Sequence, residues 1–221
     1  NRRSVSDCHN MQALSSSPAR QFADVQFVLT DMDETLTYQG RLQASTYLAL
    51  ERLRDHGIRV IPVTAAPAGW CDQIARMWPI DGVIAENGGL FLQRTPDGHE
   101  GRQEYWHAAD DLAAVRQRLH TISRVVEQQV PLAGPADDQA YRLTSLAYRR
   151  TNDQMDRRIL ASLVEAGAHA TINNLWVLGW IGDYNKLPMA LRVLEEHFGV
   201  SAALARQCVA YSGDSTNDSP M

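Results

Sequence analysis

An alternation of short apolar runs and amphipathic stretches begins near residue 25, breaks off near 90 and resumes near 182. Residues 25–29 are apolar and β-branched, too short for a helix and suited to a buried strand. A helical pattern follows over 42–56, with Leu50 and Leu53 on its inner face and Gly57 as its stop. Residues 58–63 form the next apolar run, a helix is expected around 71–78, and 82–85 make a third short strand. Strand–helix–strand–helix–strand order implies a parallel sheet with helices on its faces.

The pattern changes after residue 89. Residues 89–107 suggest a hairpin turning at Pro96-Asp97-Gly98. Leu112, Val115, Leu119, Ile122 and Val126 then recur at helical spacing. A strand is expected over 141–150 and a helix over 153–165, with Met155, Ile159 and Leu163 on one side and Gly167 closing it. Two further strands fall within 168–181, parted near Asn173-Asn174. The alternation then resumes with a helix marked by Leu187, Leu191, Leu194 and Phe198, and a buried strand over 208–211. The expected architecture is an α/β, doubly wound parallel-sheet core (residues 21–90 and 182–221) interrupted by an α+β cap (91–181), after a polar tail (1–20).

Composition bounds the partners. The 221 residues carry a net charge of −5, which argues against a nucleic-acid backbone as the main partner. No apolar run is long enough to span a bilayer. The serine-rich start lacks the apolar centre of a secretory signal. Its first residue is not methionine, so processing, trimming or tagging is expected, with Met11 an alternative start. Three cysteines, Cys8, Cys71 and Cys208, sit far apart without CxxC spacing, which fits a reducing cytoplasm, and Cys208 reads as a buried inert thiol. The seven histidines form no HxH or HExxH pattern, which disfavours zinc.

Four acidic residues stand out by position. Asp31 and Asp33 follow the first strand of the core; Asp214 and Asp218 follow its last. Ligands bind at the carboxyl ends of strands in open parallel sheets. If the first and last strands are neighbours, four carboxylates crowd one crevice, a costly arrangement that a hard cation such as magnesium would offset. Thr64, ending the second strand, offers a hydroxyl at the same rim. Lys186, opening the helix after the inserted block, offers a positive charge, and Asn217 an amide.

These residues carry a family resemblance. Asp31-Met32-Asp33-Glu34-Thr35 resembles the DxDxT motif of haloacid dehalogenase-type hydrolases. Thr64, Lys186 and Gly213-Asp214-Ser215-Thr216-Asn217-Asp218 resemble that family's second, third and fourth motifs, in order. Glu86-Asn87-Gly88-Gly89, with an insertion between Thr64 and Lys186, is similar to subfamily IIB, which includes Cof-type phosphatases, sucrose- and trehalose-phosphate phosphatases and phosphomannomutases. Two departures are visible: Glu34 stands where many members have glycine, and Thr64-Ala65-Ala66 where Thr-Gly-Arg is frequent. By this resemblance, part of the fold is expected beyond Met221.

The resemblance implies a cytoplasmic, Mg2+-dependent phosphatase acting on a small phosphorylated metabolite such as a sugar phosphate. It makes Asp31 the nucleophile and Asp33 the acid–base partner, whose pKa a neighbouring carboxylate would raise. It assigns metal binding to Asp31, the Asp33 main-chain carbonyl, Asp214 and Asp218, and phosphate contacts to Thr64, Lys186 and Asn217. A phosphosugar mutase with the same chemistry and a non-catalytic metabolite-binding protein are the alternatives. In the inserted block, Trp106, His107, Tyr141, Arg142, Arg149, Arg150, Trp176 and Trp180 invite a sugar-binding role, with one or two expected to touch substrate.

Overall fold

The computed structural model describes residues 14–95, 97–98 and 100–221, apart from the Thr216 side chain. Most of the expected tail, with Cys8 and Met11, and Pro96 of the expected turn therefore lie outside the described residues. The strands are β1 (Phe27–Thr30), β2 (Thr37–Tyr38), β3 (Arg41–Leu42), β4 (Arg59–Pro62), β5 (Val83–Ala85), β6 (Leu90–Arg94), β7 (Gly101–Tyr105), β8 (Ser145–Arg149), β9 (His169–Ile172), β10 (Trp176–Trp180) and β11 (Val209–Ser212). The helices are α1 (Ala44–Asp55), α2 (Ala68–Met77), α3 (Leu112–Gln129), α4 (Asp153–Glu165), α5 (Lys186–Phe198) and α6 (Ala202–Cys208).

β1 lies between β11 and β4, parallel to both, with Thr30 level with Ser212 on one side and Pro62 on the other. A parallel bridge from Val63 to Ile84 sets β5 beside β4. Side-chain alternation along the strands divides the core into two layers. Ile84 joins Leu29, Ile61 and Val63 against Met189, Val193 and Leu194 of α5, whereas Val83 and Ala85 face Cys71, Ile74 and Ala75 of α2. Helices thus cover both faces, as a doubly wound sheet requires.

The hairpin of β6 and β7 departs from the expected boundary. β6 pairs antiparallel with β5, and β7 with β6, so the hairpin lengthens the core sheet and a boundary at residue 91 would cut through β6. Buried apolar residues explain the placement: Leu90, Phe91 and Leu92 are at most 1 % exposed and pack into the core layers. The remaining inserted block has its own antiparallel sheet, β8-β10-β9, backed by α3 and α4. Val115, Leu119, Ile122 and Val126 meet Ile159 and Leu163 there, following the spacing in the sequence.

Three further differences are local. The strand expected over 141–150 is confined to β8, because residues 139–141 form a single 3-10 turn. Seven-residue α6 has too few turns for a periodic signal, yet Ser201 caps it by accepting from Leu204 N. β11, expected as a buried strand, is half-exposed because it lies at the sheet's edge. Cys71 and Cys208 are buried free thiols, and burial pushes the Cys71 thiol well up. No helix among the described residues is long and apolar enough to cross a membrane.

Candidate active site

Parallel register brings the acidic residues together. The Asp31 amide donates to the Ser212 carbonyl at 2.8 Å, so the chain leaving β1 starts level with the chain leaving β11. Gly213 permits the next close approach: a Cβ there would stand 2.6 Å from Asp218 Cγ. Carboxylate oxygens of Asp31, Asp214 and Asp218 consequently lie within 4.8 Å of one another. Three hard oxygen donors at that spacing, one from an exposed residue, suit a magnesium-sized cation. The Asp33 carboxylate stands outside this cluster and lines the small cavity beside it, together with Asp31, Asp214 and Asn217.

Lys186 is the only lysine in the sequence and is fully buried. It opens α5, where the Asn185 side chain caps the helix by accepting from Leu187 N. Its Nζ donates at 2.6 Å to both Asp31 Oδ1 and Asp218 Oδ1. Burial raises the Asp31 carboxyl to about 6, even though Lys186 pulls it down. At Asp218 burial also pulls upward, but hydrogen bonds from Lys186 and the Tyr211 hydroxyl, with the lysine charge, hold the carboxyl below its usual range. Burial, not a neighbouring carboxylate, is the main reason that Asp33 lies above the ordinary aspartate range; Lys186 opposes the shift and Glu34 adds to it.

The other expected residues sit at the same edge. Thr64 follows β4 and is fully buried, its hydroxyl oxygen accepting from Ala66 N at 3.0 Å. Asn217 donates from Nδ2 to Asn87 Oδ1 at 3.4 Å and accepts from the Ser215 hydroxyl. Thr35, to which the sequence reading gave no role, donates to Asp214 Oδ1 at 3.1 Å. Glu34 adopts φ +61, the left-handed conformation that favours glycine.

Sequence reasoning missed the residues that face the carboxylates from the inserted block. Asn173, Asn174 and Leu175, in the turn between β9 and β10, line the cavity, and Asn174 Nδ2 donates to Asp214 Oδ2 at 3.2 Å. The Asn-Asn pair marked a turn, but only the fold shows what it faces. The aromatic and basic residues that invited a sugar-binding role are mostly structural. Trp180 is buried, His107 bonds to the Ile181 carbonyl, Arg150 holds Asp156, and Arg142 holds Asp138. Trp176 alone among the eight borders a cavity beside Asp33.

Glu86 joins the core to the inserted block. Its carboxylate is 1 % exposed and accepts from Ala68 N, Leu143 N, Thr144 N, Thr144 Oγ1 and Ser145 Oγ at 2.7–3.0 Å. A buried acid is tolerable because every lone pair is occupied. The five bonds tie α2 of the core to the chain entering β8.

Known proteins share both the fold and the sequence pattern. A phosphoglycolate phosphatase from Pyrobaculum aerophilum is 46% identical over 67 residues, spanning 28% of this chain and 29% of that relative's length. The C-terminal domain of trehalose-6-phosphate phosphatase from C. albicans superposes with a TM-score of 0.65 at 13% identity, covering 90% of this chain and 73% of that one. A sugar phosphatase of haloacid dehalogenase subclass IIB, BT4131, superposes with a TM-score of 0.60 at 15% identity, covering 88% and 82%. The profile of the haloacid dehalogenase-like hydrolases matches residues 28–157, more than half of the sequence and including Asp31, Asp33, Thr64 and the inserted block as far as α4, so the chain belongs to that family.

Proposed function

We propose that the protein is a magnesium-dependent phosphomonoesterase that hydrolyses a small phosphorylated metabolite through an aspartyl phosphate on Asp31. The observation that carries this reading is the convergence of Asp31, Asp214 and Asp218 at the carboxyl edge of the sheet, with Lys186 bonded to Asp31 and Asp218 and with Asp33 beside them. Asp31, Asp214 and Asp218 would hold the cation, with the Asp33 main-chain carbonyl. When bound, magnesium would neutralise the carboxylates and the phosphoryl oxygens.

Asp31 attacks phosphorus, forming a carboxylate–phosphorus bond as the bond to the alcohol oxygen breaks. Asp33, whose carboxyl burial raises above its ordinary range, serves as the acid that gives a proton to that oxygen. Water then attacks the aspartyl phosphate; Asp33 takes its proton, and phosphate leaves with Asp31 restored. Lys186 fixes the Asp31 carboxylate and balances charge on the transferring group. The Thr64 hydroxyl, whose oxygen accepts from Ala66 N, keeps its own proton for a phosphoryl oxygen. Asn217 positions the loop that carries Asp218.

The cap in this reading is residues 107–181, with the β9–β10 turn lying over the crevice and limiting water. Phosphate release from a panel of sugar, polyol and nucleoside phosphates with Mg2+ tests the proposal. Turnover is expected for the wild type, and Asp31→Asn should lower kcat at least about a thousandfold with an unchanged circular-dichroism spectrum. Undiminished turnover in Asp31→Asn would remove the nucleophile.

A further inference from the structure

A second cavity of about 50 Å3 adjoins the carboxylate crevice. The two share Asp33, Ala65, Asn173 and Leu175, so the second begins at the proposed proton donor. Its other walls include Trp70 of α2 and Trp176 of β10, one indole from each side of the crevice, with Pro67 and Ala66 adding apolar surface. Trp70 is 49% exposed and lines the cavity.

The charges are one-sided. Asp33 and Asp138 are the ionisable residues that line this cavity. Asp138 is held by Arg142 through Nε at 3.0 Å and Nη2 at 2.8 Å, and the arginine side chain is wholly buried, with Nη1 turned to Ala65 O and Ser145 Oγ. Lys186 is engaged with Asp31 and Asp218. Among the described residues, no lining side chain offers a cation to a second anionic group. A carboxylate on the alcohol half of a substrate would lose water there without gaining a partner. Indole faces instead suit the C–H surface of an uncharged polyol. A volume of this size holds roughly four waters, the space of a short carbon chain.

We infer that this cavity receives the leaving alcohol, and that it selects short, uncharged polyol phosphates over esters carrying a carboxylate in the same place. Trp70 and Trp176 are its specificity-determining residues. The inference rests on the phosphatase reading. It runs against phosphoglycolate as the preferred substrate, despite the local likeness to a phosphoglycolate phosphatase.

Steady-state kinetics of the wild type on 2-hydroxyethyl phosphate and 2-phosphoglycolate test it, because the two match in size and differ in CH2OH against carboxylate. Glycerol phosphate is the longer probe, and acetyl phosphate reports phosphoryl transfer itself. The expected kcat/KM for 2-hydroxyethyl phosphate exceeds that for phosphoglycolate at least tenfold, with KM carrying most of the difference. Trp70→Ala and Trp176→Ala should each raise KM for glycerol phosphate several-fold more than they change kcat. Trp70→Arg, on an exposed helix position, should narrow the preference at least fivefold by supplying a cation. Equal or better turnover of phosphoglycolate, with acetyl phosphate hydrolysed, would overturn the inference and leave the phosphatase reading standing. An unchanged KM in both alanine variants would overturn the role of the indoles. No hydrolysis of any ester, acetyl phosphate included, would overturn the phosphatase reading and the inference with it.

Discussion

Lys186 neutralises two carboxylates at once, and its removal should be felt as both lost stability and lost chemistry. Its side chain is fully buried, so Lys186→Met keeps volume but leaves Asp31 and Asp218 without a cation. Breaking a buried pair by removing one partner costs about 3–5 kcal/mol. Urea denaturation should show a loss of that order, and added Mg2+ should recover part of it. A loss below about 1 kcal/mol would show that the carboxylates do not depend on the lysine. At this scale the sequence was informative, because Lys186 is the only lysine and opens a clear amphipathic helix. Gly213 could be named from the motif, but the reason it must be glycine, the 2.6 Å approach to Asp218, needed the folded loop.

At the scale of elements, one buried acid supplies five hydrogen bonds where the core meets the inserted block. Asn87 and Glu86 both have positive φ, near +60 and +50, and the backbone tolerates this where surrounding bonds over-determine it. Glu86→Ala would strand three backbone amides and two hydroxyls, and with about 1–3 kcal/mol for each unsatisfied buried group a loss of at least about 3 kcal/mol is expected in thermal or urea denaturation. Glu86→Gln keeps one acceptor oxygen and should lose less. A Glu86→Ala protein of wild-type stability would show that the junction does not rest on this carboxylate. Gly88→Ala tests the same corner: its Cβ would stand 2.4 Å from the Asn185 carbonyl oxygen, so α5 and Lys186 would have to move. Turnover should then fall more than Lys186-independent properties such as far-ultraviolet dichroism. Apolar periodicity made most elements legible beforehand. β2, β3 and α6 escaped because two to seven residues carry no usable period, and the hairpin of β6 and β7 was assigned to the wrong neighbour because pairing is decided by burial against β5.

For the whole molecule, a contact across the crevice and a cation within it should act together. Asn174 reaches from the β9–β10 turn to Asp214, and Asn174→Ala should speed hydrogen exchange at residues 173–176 in the protein without substrate, more than it lowers kcat. Mg2+ should raise the thermal midpoint, since a ligand at a hundred times its Kd adds about 2.7 kcal/mol, and Asp214→Asn should abolish most of that shift. Chelation with EDTA should stop hydrolysis and Mg2+ restore it; full activity in chelator would refute the metal's part. By itself the sequence determined the interrupted alternation of strands and helices and the acidic residues that end them, because periodicity and turn chemistry are local. Only the tertiary structure decided that β11 lies against β1, that the Glu86 carboxylate meets residues 143–145, and that Trp70 and Trp176 share a cavity. Each of those pairings joins segments at least 57 residues apart, and they form through burial and hydrogen-bond satisfaction that no local stretch of chain encodes.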